Sequence, residues 1–339
     1  PAGAGGTYFQ PVALAGMTPR PTMVWGRQGA PRPLRYLEDF VAWAERPEAT
    51  LVSDGDVVFV GYGVAAPEWS WDDYKDEVLR GKVLLMLVND PGLQDSTVFL
   101  GRTLTYYGRW TYKLEEAARR GAVGAILIHT TESASYPWDV VRNSWSGEQL
   151  ALDHPRDPRL EFAAWVTADA ARAALERAGL DLDSLMAAAG RREFRPAATG
   201  LHVAVQIASR LRRVNSENVV ARLPGTDPAL AREAVLFTAH WDHLGVGRKV
   251  DGDSIYNGAE DNASGVAGML AAAEVLAQAR PRPRRSIVFV ATTAEERGLL
   301  GAEAYVSDPV LPLERSAAVL NLDVLNVRGR TRDISALGG

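Results

Sequence analysis

Five side chains that can hold a cation or move a proton fall at one kind of place in this sequence. His240, Asp261, Glu295, Glu296 and Asp323 each lie at or just past the end of an apolar run, or on a loop that opens a helix. The run Glu233 to Ala239 reads as a buried strand leading into His240. Asp242 lies two positions further on, where its carboxylate can reach the second nitrogen of the His240 ring. Such an outer partner fixes the tautomer of a metal-bound imidazole and raises its basicity. Asp261 sits in a Gly- and Asn-rich turn ahead of a helical run, Ala263 to Ala279, so rigid elements flank it on both sides. Arg285 to Thr293 is a further strand with Glu295-Glu296 just beyond it, and Ser316 to Leu322 another with Asp323 at its end. In open α/β sheets ligands bind at that edge. One histidine among several carboxylates is a hard-to-borderline donor set, suited to zinc, manganese or cobalt.

The elements that must position these residues need a chain of some size. At 339 residues, 47% of them hydrophobic, two domains with a sizeable core each are expected. The net charge of −5 and the lack of a basic stripe exclude a nucleic-acid partner. No apolar run approaches the ~20 residues of a membrane helix. The absence of cysteine excludes disulfides and thiolate metal sites and leaves the compartment open. The first residue is Pro1, so any signal peptide is expected outside this sequence.

Residues 1–50 are rich in Gly, Pro and Arg and read as a lead-in segment or an unstructured arm, with one strand from Thr7 and a short helix or turn over Leu37 to Ala44. Residues 51–190 form a second unit. Its strands are expected at Asp56 to Tyr62, Lys82 to Val88, Val123 to His129 and Leu160 to Val166, and its helices at Thr111 to Arg120 and Thr167 to Ala178. Residues 191–339 begin with an alternating strand, Leu201 to Ala208, followed by another, Val214 to Arg222, paired with Ala234 to Ala239. His202 falls on the polar side of its strand and reads as a surface residue. His129 and His154 lack ligand-spaced partners and read as non-metal residues. The aromatic loops Tyr106 to Trp110 and Tyr136 to Trp138 read as packing of the domain's own loops rather than as a substrate channel. Asn262-Ala-Ser264 matches a glycosylation sequon but lies inside the ligand loop, and is set aside.

Four pieces carry a resemblance: His240-Trp-Asp242, Asn257-Gly-Ala-Glu-Asp261-Asn-Ala-Ser-Gly265, Glu295-Glu296-Arg-Gly298 and Asn321-Leu-Asp323. In this order and approximate spacing they resemble the M28 family of zinc aminopeptidases and carboxypeptidases. Phe59-Val-Gly-Tyr-Gly, Gly81-Lys-Val and Arg119-Arg-Gly-Ala-Val-Gly-Ala resemble the protease-associated (PA) domain inserted in many M28 members. The resemblance implies an α/β fold: a mixed-sheet zinc exopeptidase domain, phosphorylase/hydrolase-like, with a smaller β-rich α/β PA domain that shapes access to the site. It implies two Zn2+ ions, replaceable by Mn2+ or Co2+, a peptide substrate, and a secreted or periplasmic setting. Asp261 then bridges the ions, His240 and Asp323 complete one, Glu296 belongs to the other, Glu295 is the general base and Asp242 orients His240. The family pattern calls for one more histidine downstream; the histidines here are 129, 154, 202, 240 and 243, and none follows Asp323. The chain is therefore expected to be a fragment with poor activity. His243 is expected to face away from the site.

Each acid also has a plain structural explanation. Glu295-Glu296 suits a helix start, Asp261 a helix cap and Asp323 a turn. The leading function is an aminopeptidase. The alternatives are a glutamate-carboxypeptidase-like enzyme, a glutaminyl cyclase, and a receptor-like protein without catalysis. The carboxypeptidase reading needs a basic cluster for the substrate's C-terminal carboxylate, for which Arg102, Arg109 and Arg142 are the candidates.

Overall fold

The computed structural model describes residues 1–155, 158–326 and 329. The chain divides into two compact units, Ala15–Arg212 and Pro1–Leu14 with Arg213–Gly339. The expected 1–50 lead-in does not stand apart, because from Ala15 onward it belongs to the same unit as residues 51–190. Strand β1 (Phe9–Arg27) runs through the segment that allowed an unstructured arm.

Within Ala15–Arg212, the strands are β2 (Phe40–Ala44), β3 (Thr50–Phe59), β4 (Val83–Leu87), β5 (Gly124–His129) and β6 (Phe162–Thr167). The first part of the long β7 (Ala197–Leu223) joins them. Their order is β7-β3-β4-β5-β6-β2, with β3, β4, β5 and β6 parallel and both outer strands antiparallel to their neighbours. Residues 201–208 and 214–222, expected as two strands, both lie in β7.

The stretch expected as a helix or turn at Leu37 to Ala44 is largely β2. Its apolar residues at 37, 40, 41 and 44 fit helical spacing, but Ala42 and Trp43 are apolar as well, and burial on both faces makes the stretch a strand. Phe40, Ala42 and Ala44 enter one core layer, Val41 and Trp43 the other. Between β4 and β5 lies α1 (Trp110–Arg119), whose Lys113 is fully buried and donates from Nζ to the Tyr107 carbonyl at 2.7 Å.

The aromatic loops pack as their own unit's filling. Tyr106, Tyr107 and Tyr112 meet edge to face, and Trp138 donates to the Leu37 carbonyl at 3.0 Å. His129 is buried, its Nε2 at 2.9 Å from the Tyr136 carbonyl. His202 is gripped between Asp54 and Asp56 at 3.0 and 3.1 Å rather than left to solvent alone.

The other unit holds the last part of β7, then β8 (Ala234–His240), α2 (Ala263–Gln278), β9 (Ser286–Thr292), α3 (Leu300–Ser307) and β10 (Ser316–Asn321). The strand order is β10-β8-β9-β7; β8, β9 and β10 are parallel and β7 is antiparallel to β9. The expected pairing of Val214–Arg222 with Ala234–Ala239 is therefore replaced, with β9 inserted between them. Every residue of β9 is buried, so it takes the central place. Its side chains alternate as period two requires. Ile287, Phe289 and Ala291 pack with Met269 of α2, while Val288 and Val290 pack with Tyr305 of α3.

Candidate metal centre

Strand register brings the chemically able residues together. His240 stands opposite Thr292 across the β8–β9 pair, and Thr238 opposite Asn321 across β8–β10. Asp323 follows Asn321 by two residues, level with His240. Thr238 Oγ1 donates to Asn321 Oδ1 at 2.7 Å, and Leu322 N–H to the Thr238 carbonyl at 2.8 Å, which fixes that strand end.

The Asp261 loop is tied to the same end by one amide. Asn262, 2% exposed, accepts from Gly265 N–H at 3.0 Å and so caps α2. It also donates to the Leu322 carbonyl at 2.9 Å and accepts from Val324 N–H at 3.3 Å. A Cβ at position 265 would collide with the Asn262 side chain and the Leu322 carbonyl, so this approach requires glycine. The cap is Asn262, which leaves the Asp261 carboxylate free of that duty.

His240 is 3% exposed, and its Nε2 faces three acids. Asp261 Oδ1 lies at 3.1 Å, Asp323 Oδ1 at 3.4 Å and Glu295 Oε2 at 4.0 Å. Its Nδ1 is 2.8 Å from the backbone carbonyl of Asp242. A carbonyl only accepts, so the proton sits on Nδ1 and the Nε2 lone pair points at the acids.

The Asp242 contact differs from expectation: main chain, not carboxylate, meets the ring. The carboxylate instead accepts through Oδ2 from Thr293 Oγ1 at 3.1 Å and from Ala294 N–H. Two residues past a strand end the chain has already turned, which brings the peptide carbonyl to the imidazole and sends the side chain toward β9. There it pins the turn that delivers Glu295 and Glu296. Ala294 in that turn adopts a left-handed conformation, φ +52°. This costs an L-residue roughly 1–2 kcal/mol.

His243 also departs from expectation. It faces inward, with Nδ1 at 2.6 Å from Glu296 Oε1 and 3.9 Å from Asp261 Oδ2. Gly258 makes room for it, because a Cβ there would press on the His243 Cβ at 2.8 Å. Two donor sets result, His240–Asp261–Asp323 and His243–Asp261–Glu296, in each of which the ligand atoms lie within 4.8 Å of one another. Two donors of a tetrahedral zinc, with bonds of about 2.0–2.1 Å, stand ~3.3 Å apart. The 3.1 and 3.4 Å separations around His240 Nε2 match that spacing, so these residues fit a divalent cation.

The electrostatics agree with the crowding. Burial pushes the Glu295 carboxyl up; His240 pulls it back, and Glu296, Asp323 and Asp261 add to the rise. Burial works against charge on His240, but the Asp242 carbonyl and the charges of Glu295, Asp323 and Asp261 outweigh it and raise its pKa.

A parallel-strand edge thus gathers Asp261, two histidines and three further acids in two groups that could hold a metal ion. Residues 218–339 match the family model of Peptidase family M28. The chain is 32% identical over 130 residues to Aminopeptidase NAALADL1 of Rattus norvegicus, covering 37% of this chain and 16% of that one. It is 35% identical over 94 residues to a Vacuolar membrane protease of Candida dubliniensis, covering 28% and 9%. The chain thus spans less than a fifth of the length of these curated relatives. Among solved structures, an aminopeptidase from Aneurinibacillus sp. strain AM-1 aligns at 18% identity and TM-score 0.38, over 93% of this chain and 61% of that one.

Proposed function

We propose that the protein is a metal-dependent exopeptidase, an aminopeptidase in first place, working with a pair of zinc ions. The observation that carries this is the Asp261 carboxylate, whose Oδ1 faces His240 and whose Oδ2 faces His243, with Glu296 in the same donor group as His243. His240 and Asp323 would hold one ion, Glu296 the other, with Asp261 shared. When bound, such a pair polarises the scissile carbonyl and lowers the pKa of a water between the ions.

The chain's own residues do the rest. Glu295, raised by burial and by its acidic neighbours, takes a proton from the attacking water and returns it to the leaving amine nitrogen. The new carbonyl–oxygen bond forms as the peptide C–N bond breaks. The Asp242 carbonyl holds the His240 ring, and the Asp242 carboxylate holds the Glu295–Glu296 turn.

The likeness to the rat Aminopeptidase NAALADL1 favours the aminopeptidase reading. The carboxypeptidase reading loses ground because Arg102 and Arg142 already pair with Glu132 and Asp139, at 3.1 and 3.0 Å. The unit Ala15–Arg212 corresponds on this reading to the PA-like insertion. No helix among the described residues is long and apolar enough to cross a membrane. A secreted or periplasmic setting follows from the family resemblance.

The test is zinc content by mass spectrometry, followed by hydrolysis of aminoacyl anilides with and without chelator. Zinc together with chelator-sensitive release of the N-terminal residue is expected. A chain that binds no divalent ion refutes the reading.

A further inference from the structure

We propose that Val246 and Ile255 form an apolar subsite for the departing part of a peptide substrate, the side chains that lie past the bond being cut. The proposal rests on the aminopeptidase reading above and adds to it where the rest of the substrate binds.

The stretch between His243 and Asp261 holds a two-stranded antiparallel arm, Gly245–Val250 with Asp253–Tyr256. Asp251 and Gly252 turn it, with φ of +50° and +90°, the two-residue geometry that matches strand twist. An isolated hairpin is marginal in water, so the arm needs support. The Tyr256 ring supplies some by lying against Gly247, where a Cβ would meet the ring at 2.9 Å. Asp253 adds more, accepting from the Ile255 N–H through Oδ1 at 2.9 Å.

On this arm Val246 and Ile255 stand directly opposite each other, so their side chains share one face. They are 78% and 58% exposed, and Trp241 and Leu244, on the way from the strand end to the arm, are exposed as well. Large apolar side chains thus stay in water on the one segment that joins His240 to Asp261. A gathering of exposed apolar side chains, unlike a scattered one, marks a binding surface.

Reach and openness choose the occupant. Val246 follows His243 by three residues, so their Cα atoms are at most ~11 Å apart at ~3.6 Å per residue. An extended peptide covers that span within three residues of the bond. An aminopeptidase encloses the terminal residue of its substrate and lets the remainder run out. Enclosing pockets bury roughly 70–90% of what they hold. Side chains as open as Val246 and Ile255 enclose nothing, and suit the part of the substrate that continues past the site.

The competing account keeps the pair for the arm alone, as β-branched residues that favour strands. Selectivity separates the two, because threonine keeps the branching and the strand preference but not the apolar surface.

The experiment uses the full 339-residue chain with Zn2+ and the peptides Ala-Gly-Leu-Leu and Ala-Gly-Gly-Gly, with alanine anilide as reference. Release of alanine is compared between the original chain and one carrying both Val246→Thr and Ile255→Thr, each checked by circular dichroism and light scattering. Calorimetry on the Glu295→Gln chain, with and without the two threonines, follows peptide binding without turnover. The expected result is a kcat/KM about 10-fold higher for the leucine peptide, the low end of what apolar contacts give, and a ratio below about 3-fold with the two threonines. Binding to Glu295→Gln should follow the same order and lose it in the same way.

Equal use of the two peptides by an original chain that cleaves alanine anilide overturns the proposal and leaves the aminopeptidase reading standing. A preference that survives both threonines does the same. A dimer that the threonines dissociate, with selectivity unchanged, gives the pair to a second copy of the chain and overturns it too. An original chain that cleaves no anilide, with no peptide bound by Glu295→Gln, overturns both.

Discussion

Replacing Asp242 by alanine separates two accounts of what that residue does. If its carboxylate oriented the His240 ring, as its position in the sequence implies, its loss would weaken the His240 ion by about 10–100-fold. The structure assigns the ring to the main-chain carbonyl of Asp242, which alanine keeps, and the carboxylate to the turn before Glu295. Alanine then removes two hydrogen bonds to a charged acceptor. Such bonds contribute roughly 1.5–3 kcal/mol each. Thr293 and Ala294 are 2% and 5% exposed, so water has little room to replace the acceptor. Against this, the protein no longer holds a carboxylate whose Oδ1 is buried without a partner among the described residues. Taking the low end of each bond and subtracting about 1 kcal/mol for that relief leaves a net loss near 2 kcal/mol. The left-handed Ala294 then relaxes, and Glu295 and Glu296 lose their placement. The expected outcome is an ion on Glu296 bound about 30-fold more weakly and a fall in urea-unfolding stability of about 2 kcal/mol, with the His240 ion changed less than about 3-fold. Competition with a chromophoric chelator measures both affinities. A selective loss of the His240 ion would refute the reasoning.

Three further outcomes are expected. Glu295→Gln should keep full metal content while kcat falls by about 10²–10⁴, the usual contribution of a positioned general base; a fall in KM alone, or loss of metal, would remove Glu295 from that role. Asn262→Ala should cost about 2–4 kcal/mol in urea unfolding, the sum of a lost helix cap and an unpaired buried carbonyl, and Asn262→Asp about half of that because the cap survives. Lys113→Met should flatten the alkaline side of the stability profile: burial holds the folded Lys113 ammonium down, at about 7, below its ordinary 10.5. Between those values the unfolded chain binds the proton and the folded chain does not, so stability of the original protein rises with pH by up to about 1.4 kcal/mol per unit, and methionine removes that slope. Urea titrations at pH 7.5 and 9.5 that give the same difference between the two proteins would contradict this.

The strand ends that carry the site were legible because burial writes itself into composition. Glu233–Ala239, Arg285–Thr293 and Ser316–Leu322 were expected as strands, and Ala234–His240, Ser286–Thr292 and Ser316–Asn321 are the strands found. What an apolar run does not encode is its neighbour. Consecutive strands often pair, so β7 and β8 were expected side by side, yet the fully buried β9 takes the place between them. The same gap explains β2. The apolar residues of Leu37 to Ala44 fit a helical stripe as well as a strand buried on both faces, and only the two core layers that receive them decide. Lys113 carried no signal, because a lysine on an amphipathic helix ordinarily reaches water.

The site residues divide along the same physical line. His240, Asp261, Glu296 and Asp323 are each delivered by a rigid element end, and their convergence followed from register. Asp242 and His243 lie in the stretch after β8, where direction is set by turn geometry that residue types do not reveal. For Asp242 the type was informative and the atom was not: the main chain does the work assigned to the side chain. For His243 the available signal was Gly258, a left-handed glycine at φ +67° in the Asp261 loop, whose missing side chain makes the space the imidazole fills. A glycine three residues before Asp261, among Asn and Ala, marks a close approach by something. In this protein the histidine three positions after His240 is what approaches, and its Nδ1 comes to lie 2.6 Å from Glu296.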